Sequence, residues 1–554
     1  MSILNIFTLI GGLALFLYGM HILGESLAKL SGGKLEAILA KMTDNPLKGV
    51  LLGAGTTAVI QSSSATTVMV VGFVNSGIMQ LKQAVGIIMG ANVGTTITSW
   101  ILSLSGIESD NLLIMLFKPQ AFAPILAMIG VILLMSGKSE RKKDIGTILL
   151  GFSILMIGMD TMSSAMKPLK DIPAFTRLFL TFSNPLIGML AGTVLTAIIQ
   201  SSSASVGILQ ALCLTGAIPY SAVLPIIMGQ NIGTCVTALL SSIGANTGAK
   251  RAACIHLYFN MIGTLVFTTV FYILHIFFPF SFLEQSASPA GIAFIHSCFN
   301  IAATVILLPF SYQLVKLASI SVKEKGEHAD PAFPEKLTAL ANMDKRFLDN
   351  PSFALVQCKK ATGAMLTLAQ DAAYEALSLV LDYQVGKAEY IEELENYVDQ
   401  YETEINDYMF QISLYSLTEA DSRELTALQH QIGNMERIAD YSMGIAKNMG
   451  KMEKKKLHFS KDAKQNLEQY RDILQSLIHH TGKYWTNPDP AIASEAFQLA
   501  HELKRIEKRI LKDHKKRVKK GKCSVDMGFI LSDILSGFQK VAEHNLQIMV
   551  QQED

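Results

Sequence analysis

Long apolar runs separated by short polar loops fill the first 318 residues, and amphipathic helical spacing takes over afterwards. A spanning helix needs ~20 apolar residues. Runs of that kind occupy 3–30, 80–104, 119–136, 145–166, 218–243, 252–280 and 290–317. Two further apolar stretches, 46–76 and 185–215, are each interrupted at mid-length by Gln-Ser-Ser-Ser. Each opens on Asn-Pro-Leu, at Asn45-Pro46-Leu47 and Asn184-Pro185-Leu186, a helix-start signal with proline at the first helical position. Irregular backbone at membrane depth is tolerated only against protein or a water-filled cavity. The pattern therefore predicts an all-α polytopic membrane protein with two re-entrant hairpins.

Charge sharpens this picture. Residues 1–318 hold 16 Lys and Arg with 10 Asp and Glu, whereas the remaining 236 residues hold 31 and 36. The near-neutral total averages two solvents and gives no reason to expect a nucleic-acid partner. By the positive-inside rule, the loop Ser136–Asp144, the stretch Gly248–Arg251 and Lys316, Lys323 and Lys325 belong in the cytoplasm. Lys29, Lys34 and Lys41 follow the first helix, which starts its N-terminus outside. The acidic loops "GIESDN" and "SFLEQSASP" fit the outside. Lys167, Lys170 and Arg177 run against this scheme, but counting the broken stretches as full spans would flip every later loop. No basic n-region precedes the first run, so it reads as an uncleaved helix. No zinc-type spacing links the six cysteines, which read as free thiols.

The two broken stretches are copies of one unit. Between 45–98 and 184–237, 23 of 54 positions are identical at a fixed offset of 139 residues. Gln61-Ser62-Ser63-Ser64 matches Gln200-Ser201-Ser202-Ser203, and "MGANVGTT" (Met89–Thr96) matches "MGQNIGTC" (Met228–Cys235). Three predicted spans separate equivalent points, and an odd number inverts the second copy. Repeat one covers about 1–136 and repeat two about 145–317. Inverted repeats with broken helices belong to secondary transporters, whose substrate sits at the midplane between repeats.

The polar atoms at the breaks suit charged cargo. A half-helix starting at a serine turn offers unpaired N–H groups and roughly half a positive charge. The half-helix ending there offers carbonyl oxygens, which together with Ser and Asn oxygens suit a hard cation such as Na⁺. Serines also join transmembrane helices by hydrogen bonds, but two symmetric copies at helix breaks favour a site. Asn92 and Asn231, in the repeated "GxNxGT", are candidates to line it, and Thr56, Thr57 and Thr196 cap or ligate. His256-x-x-x-Asn260 and His296-x-x-x-Asn300 read as ties between helices. No Arg or Lys lies near either serine turn in sequence, so a buried dianion needs mobile cations to offset its charge.

These paired Gln-Ser-Ser-Ser motifs resemble those of the type II sodium–phosphate cotransporters, over about residues 1–318. The resemblance implies inorganic phosphate as substrate and Na⁺ as coupled ion. Matched position by position, it places Gln61, Ser62, Ser63, Ser64, Gln200, Ser201, Ser202 and Ser203 around phosphate. The oxygens of Ser62, Ser64, Thr66, Asn92, Thr95, Ser201, Ser203, Ser205, Asn231 and Thr234 are the sodium candidates.

Residues 319–349 form a linker, charged and proline-containing at 320–336. From 350 to 554 the long amphipathic helices resemble a PhoU-type domain of two related three-helix bundles. Its clearest motif is the i, i+4 carboxylate pair Glu436 and Asp440. In PhoU-type proteins that spacing supplies metal ligands, with Glu395, Asp399 and Glu402 as further partners here. The matching second-half positions are Gln539 and Glu543, a degraded copy. The basic run Lys508–Lys522 reads as a solvated helix end or a contact with anionic lipid. No Walker A loop, nucleophile elbow or zinc signature points to an enzyme.

The sequence is thus expected to encode a cell-membrane sodium–phosphate symporter with a cytoplasmic PhoU-like regulatory domain. A carrier of another oxyanion, sulfate or a dicarboxylate, and a membrane-anchored phosphate sensor are the alternatives. The helical faces permit a homodimer, and the C-terminal domain permits a phosphate-signalling partner.

Overall fold

The computed structural model describes residues 3–31, 45–106, 118–137, 139–168, 172, 181–323, 335–348, 350–415, 417–521 and 523–550. Lys34, Lys41, Lys138, Lys170, Arg177, Lys325 and most of the acidic loop "GIESDN" lie outside these residues. The chain divides into two compact units. One comprises Met1–Ala329 with Asp344–Phe353, the other Asp330–Met343 with Ala354–Asp554.

In the first unit, helices α1 (Ile3–Ser31), α2 (Pro46–Ile60), α3 (Ser63–Asn75), α4 (Leu81–Ser103), α5 (Pro119–Ser136) and α6 (Glu140–Met166) make up the first half. Then come α7 (Pro185–Ile199), α8 (Ser202–Cys213), α9 (Tyr220–Gly233), α10 (Cys235–Ser241), α11 (Thr247–Phe277), α12 (Pro289–Leu307) and α13 (Ser311–Ser321). Among the described residues there are helices and one isolated β-bridge, Pro219 with Ser286, but no strand. Among the described residues, six helical stretches are long and apolar enough to cross a membrane. The expected seventh, 119–136, has an apolar part, Ala121–Ser136, that falls short of that length. The expected span 218–243 is divided into α9 and α10 at Thr234.

The repeats are inverted in space. A methyl on Gly19 would stand 2.8 Å from the Gly151 carbonyl oxygen, and one on Gly158 would stand 2.8 Å from that of Gly12. Each contact is the other displaced by 139 in both partners, so a pseudo-two-fold axis passes between α1 and α6. Residue numbers rise along α1 as they fall along α6, so the two helices run antiparallel. Glycine makes this crossing, because any Cβ here would enter the facing backbone. The same device joins α2 to α4 and α7 to α9. A methyl on Gly90 would overlap the Val50 carbonyl, and one on Gly229 the Met189 carbonyl.

Loop contacts sort the ends of the unit. Lys29 at the end of α1 pairs with Asp144 at the start of α6, 3.4 Å apart. Asn75 Oδ1 accepts from the Asn246 amide at 2.8 Å, and Arg251 Nε donates to the Val322 carbonyl at 3.0 Å. Gly216 accepts from Ser286 Oγ at 2.7 Å, and the Ala287 amide donates to Ile218 at 2.8 Å. The first pair and the Arg251–Val322 bond join stretches grouped together by charge above.

The second unit is built from α14 (Pro351–Leu381, its first three residues in the first unit), α15 (Val385–Ser413), α16 (Glu419–Lys454), α17 (Lys461–Thr486), α18 (Pro490–Lys519) and α19 (Val525–Val550). Their apolar stripes face inward at helical spacing: Ile391, Leu394, Val398, Tyr401 and Ile405 on α15 are all buried. Side-chain caps start several of these helices, with Thr418, Ser460 and Asp489 accepting from first-turn amides.

Candidate functional site

Each Gln-Ser-Ser-Ser ends one helix and starts the next. Gln61 (φ 59°) closes α2 and Gln200 (φ 58°) closes α7, both in the left-handed region. A long side chain costs roughly 1–2 kcal/mol there, and this strain recurs at both copies, as functional sites often show. Ser62 and Ser201 then cap the following helices, their Oγ atoms accepting from Ala65 and Ala204 amides at 3.2 Å.

The chain doubles back at these turns. Thr57 Oγ1 donates to Thr66 Oγ1 at 3.1 Å, and Thr196 Oγ1 to Ser205 Oγ at 2.8 Å. A straight helix would hold residues nine apart about 13 Å apart along its axis. These paired hydroxyls are fully or almost fully buried and staple the two arms of each hairpin at equivalent positions.

The two turns meet. Ser63 Oγ lies 3.5 Å from Ser202 Oγ, and Ser64 Oγ donates to the Gln200 carbonyl at 3.3 Å. Ser63, Ser202 and Ser203 are buried, while Ser62, Ser64 and Ser201 are half-buried. Ser63 and Ser202 are the first residues of α3 and α8. The first-turn amides of a helix have no acceptor within it, so two helix N-termini bring free N–H groups and positive dipole ends to one place.

The remaining candidates spread outward from this centre. Gln61 is held by its neighbours, its Oε1 accepting from Thr98 Oγ1 at 2.9 Å and its Nε2 donating to the Ala58 carbonyl. Gln200 is exposed. Thr95 and Thr234 donate to carbonyls of their own helices, Ala91 at 3.0 Å and Gln230 at 2.9 Å. Asn231 Nδ2 donates to the Ile227 carbonyl at 2.9 Å. Asn92 instead reaches α11, with Nδ2 3.4 Å from Asn260 Oδ1 and Oδ1 3.5 Å from His256 Nε2. His296 Nδ1 lies 2.8 Å from Ser99 Oγ. Both histidines therefore tie helices together.

Sequence reasoning missed two residues. Gln230 Nε2 donates to the Ser205 carbonyl at 3.0 Å, and Gln210 Nε2 to the carbonyls of Ser99 and Pro289 at 3.0 and 3.1 Å. Both side chains are completely buried, and the Oε1 of each has no partner among the described residues. The signal was a glutamine within an apolar helix, without a counterpart in the first repeat: Ala91 and Val71 stand there.

In the second unit, Glu395, Asp399 and Glu402 on α15 lie close enough to Glu436 and Asp440 on α16 to interact through charge. Burial, then the neighbouring Asp440, Glu402 and Asp399 carboxylates, push the Glu436 carboxyl up to about 7. Burial also raises Glu395, Asp399 and Glu402, with the acids around them adding to it. Among the described residues, however, no group of three or more His, Cys, Asp or Glu is placed to hold a metal ion. The expected divalent site at Glu395, Asp399, Glu436 and Asp440 is therefore unsupported: these acids crowd one another without converging.

Comparison with known proteins fits this arrangement. The Na⁺/Pi-cotransporter family model matches residues 15–164 and 166–286, and the PhoU domain model matches residues 363–449. YqeW of Bacillus subtilis (strain 168) is 30% identical over 316 residues, 56% of this chain and 96% of YqeW. YjbB of Escherichia coli (strain K12), named for inorganic phosphate export, is 23% identical over 450 residues, 81% of this chain and 78% of YjbB. The sodium-dependent phosphate transport protein 2A of Rattus norvegicus is 34% identical over 106 residues, 19% of this chain and 16% of that protein. No solved structure matches the chain. Its inverted halves, paired serine turns and C-terminal helices are accounted for together: the chain is a membrane protein of the Na⁺/Pi-cotransporter family, a family of phosphate transporters, and it carries a PhoU domain.

Proposed function

We propose that the chain carries inorganic phosphate across the cell membrane in symport with Na⁺, by alternating access. Its N-terminus lies outside and its PhoU-containing unit is a cytoplasmic regulator. The two hairpins are re-entrant, the first entering from the cytoplasm and the second from outside. The observation that carries this reading is the meeting of two helix N-termini at Ser63 and Ser202, 3.5 Å apart between hydroxyl oxygens.

Phosphate oxygens accept from the hydroxyls of Ser63, Ser64, Ser202 and Ser203 and from the first-turn amides of α3 and α8. The backbones of Gln61 and Gln200 and the capping serines Ser62 and Ser201 shape the turns. Sodium ions use oxygens of Ser62, Ser64, Thr66, Ser201, Ser203 and Ser205, with Asn92, Thr95, Asn231 and Thr234 behind them. A buried anion without a fixed cation is costly. Each ion therefore raises the affinity of the other, which is what coupling requires. Filling both kinds of site lets the halves rock about the pseudo-two-fold axis. The divalent ion first expected in the PhoU-containing unit has no part in this proposal.

Radiolabelled phosphate flux into liposomes with Na⁺ present or replaced by choline tests the reading. Flux that depends on Na⁺, and Na⁺ entry that depends on phosphate, support it; flux indifferent to Na⁺ removes the coupling. The name of the Escherichia coli relative favours net export as the physiological direction. Phosphate loss from cells on expression of the chain, compared with vesicles of either orientation, decides that question.

A further inference from the structure

The segment Asp344–Phe353 belongs to the first unit although the residues just before it, Asp330–Met343, belong to the second. Its contacts are specific. Phe347 packs on Phe73 with ring centroids 5.4 Å apart, Phe353 on Phe73 at 5.1 Å, and the two on each other at 5.0 Å. All three rings are essentially fully buried. Gly72 makes room, since a methyl there would stand 2.7 Å from Phe347 Cε1. Asn75 Nδ2 donates to Asp344 Oδ2 at 2.7 Å. Arg346 pairs with the same carboxylate at 2.6 Å and donates through Nε to the Ser241 carbonyl at 2.7 Å. Asn75 is also bonded to Asn246, the cap of α11, through both its side chain and its carbonyl.

One short segment therefore binds the last turn of α3, from repeat one, to the last residue of α10, from repeat two. Helix α3 starts at Ser63, on the axis, and ends twelve residues later at Asn75. The residues that grip the segment have no copies in the other half. Gly72, Phe73 and Asn75 correspond to Ala211, Leu212 and Leu214, although Gly77 and Gly216 flank both stretches. The symmetry of the repeats is broken where the segment docks.

We infer that residues 344–353 are a strap: the tail of α3 is a docking surface for this segment of the chain itself, and the occupied strap holds the cytoplasmic ends of the two repeats together. It acts as a brake on the rocking step, resting on the transport reading above. Phe353 lies in the first turn of α14, which continues into the PhoU-containing unit. A pull on α14 therefore reaches α3 and the Ser63 turn through a single helix. The ligand of the docking surface is intramolecular: two phenyl rings and an aspartate–arginine pair.

The test uses the full chain in lipid nanodiscs and liposomes. Hydrogen exchange of residues 63–75 is compared in wild type, Phe347→Ala and Arg346→Gln. Arg346→Gln keeps the buried rings and guards against misfolding. Exchange near Asn75 is expected to rise about tenfold in both variants, with peptides from α15 to α19 unchanged. Phosphate flux is expected to rise severalfold in both. Unchanged exchange overturns the strap, and raised exchange with equal or lower flux overturns the brake. Absence of flux in wild type defeats the transport reading instead, and the exchange result alone then decides whether the segment grips α3.

Discussion

Ser63 faces Ser202 across 3.5 Å, and each is the other's counterpart in the repeat. A residue that touches its own copy must sit on the symmetry axis, so the two hairpin tips meet there. Losing one hydroxyl that serves a charged ligand costs about 1.5–3 kcal/mol, about 10- to 100-fold in affinity. Ser63→Ala and Ser202→Ala should therefore each raise the half-saturating phosphate concentration by a similar factor. Concentration-dependent flux in liposomes checks this. A large loss in one variant with none in the other would mean that the ligand sits off the axis.

Gly53 and Gly55 lie two residues apart on α2 in opposite circumstances. A methyl on Gly53 would overlap the Ile87 carbonyl, whereas one on Gly55 meets nothing within 4 Å. Gly53→Ala is expected to push α2 off α4 and lower the melting temperature sharply. Gly55→Ala is expected to be neutral or to stabilise by roughly 0.5–1 kcal/mol through helix propensity. Fluorescence-detected size exclusion after heating separates the two.

The threonine staples should be felt equally in both halves. Thr57→Val and Thr196→Val keep shape but remove the hydroxyls that bond Thr66 and Ser205. Each change is expected to cost about 1 kcal/mol, more where the partner hydroxyl is left unsatisfied. Thermal unfolding in detergent measures it, and flux should fall as the hairpin tips lose registry.

Acid crowding between α15 and α16 makes a pH prediction. Burial and neighbouring carboxylates raise the Glu436 carboxyl to about 7, above its ordinary value near 4.5. The folded protein therefore binds a proton that the unfolded chain releases between about pH 4.5 and 7. Through this group stability falls as pH rises across that window. Glu436→Gln is expected to raise the melting temperature of the PhoU-containing unit at pH 8 and to leave it little changed at pH 4.5. Differential scanning calorimetry of the full chain at both values checks the sign.

Much of this was legible beforehand, for physical reasons. Apolar run length located the helices, because a bilayer core sets one length scale. The 139-residue offset located the hairpins, because a duplicated unit must fold twice alike. Loop charge grouped Lys29 with Asp144, and that pair is in contact. What could not be read was mutual orientation. Nothing in the string says that Asn92 turns to His256 while its counterpart Asn231 bonds within its own helix. Gln230 and Gln210 carry no repeat signal, because Ala91 and Val71 stand at the matching positions of the first copy. The metal expectation found no support for a similar reason: i, i+4 spacing puts Glu436 and Asp440 on one face, but convergence of a third ligand depends on how α15 lies against α16.

The antiparallel crossing of α1 and α6, with Gly12 against Gly158 and Gly151 against Gly19, has an energetic corollary. Two identical parts joined by a two-fold axis would rest with equal ease facing either compartment. On the proposed alternating access, any resting preference for one side must therefore be encoded in side chains that differ between the copies rather than in the shared serines, while the gradients set the net direction.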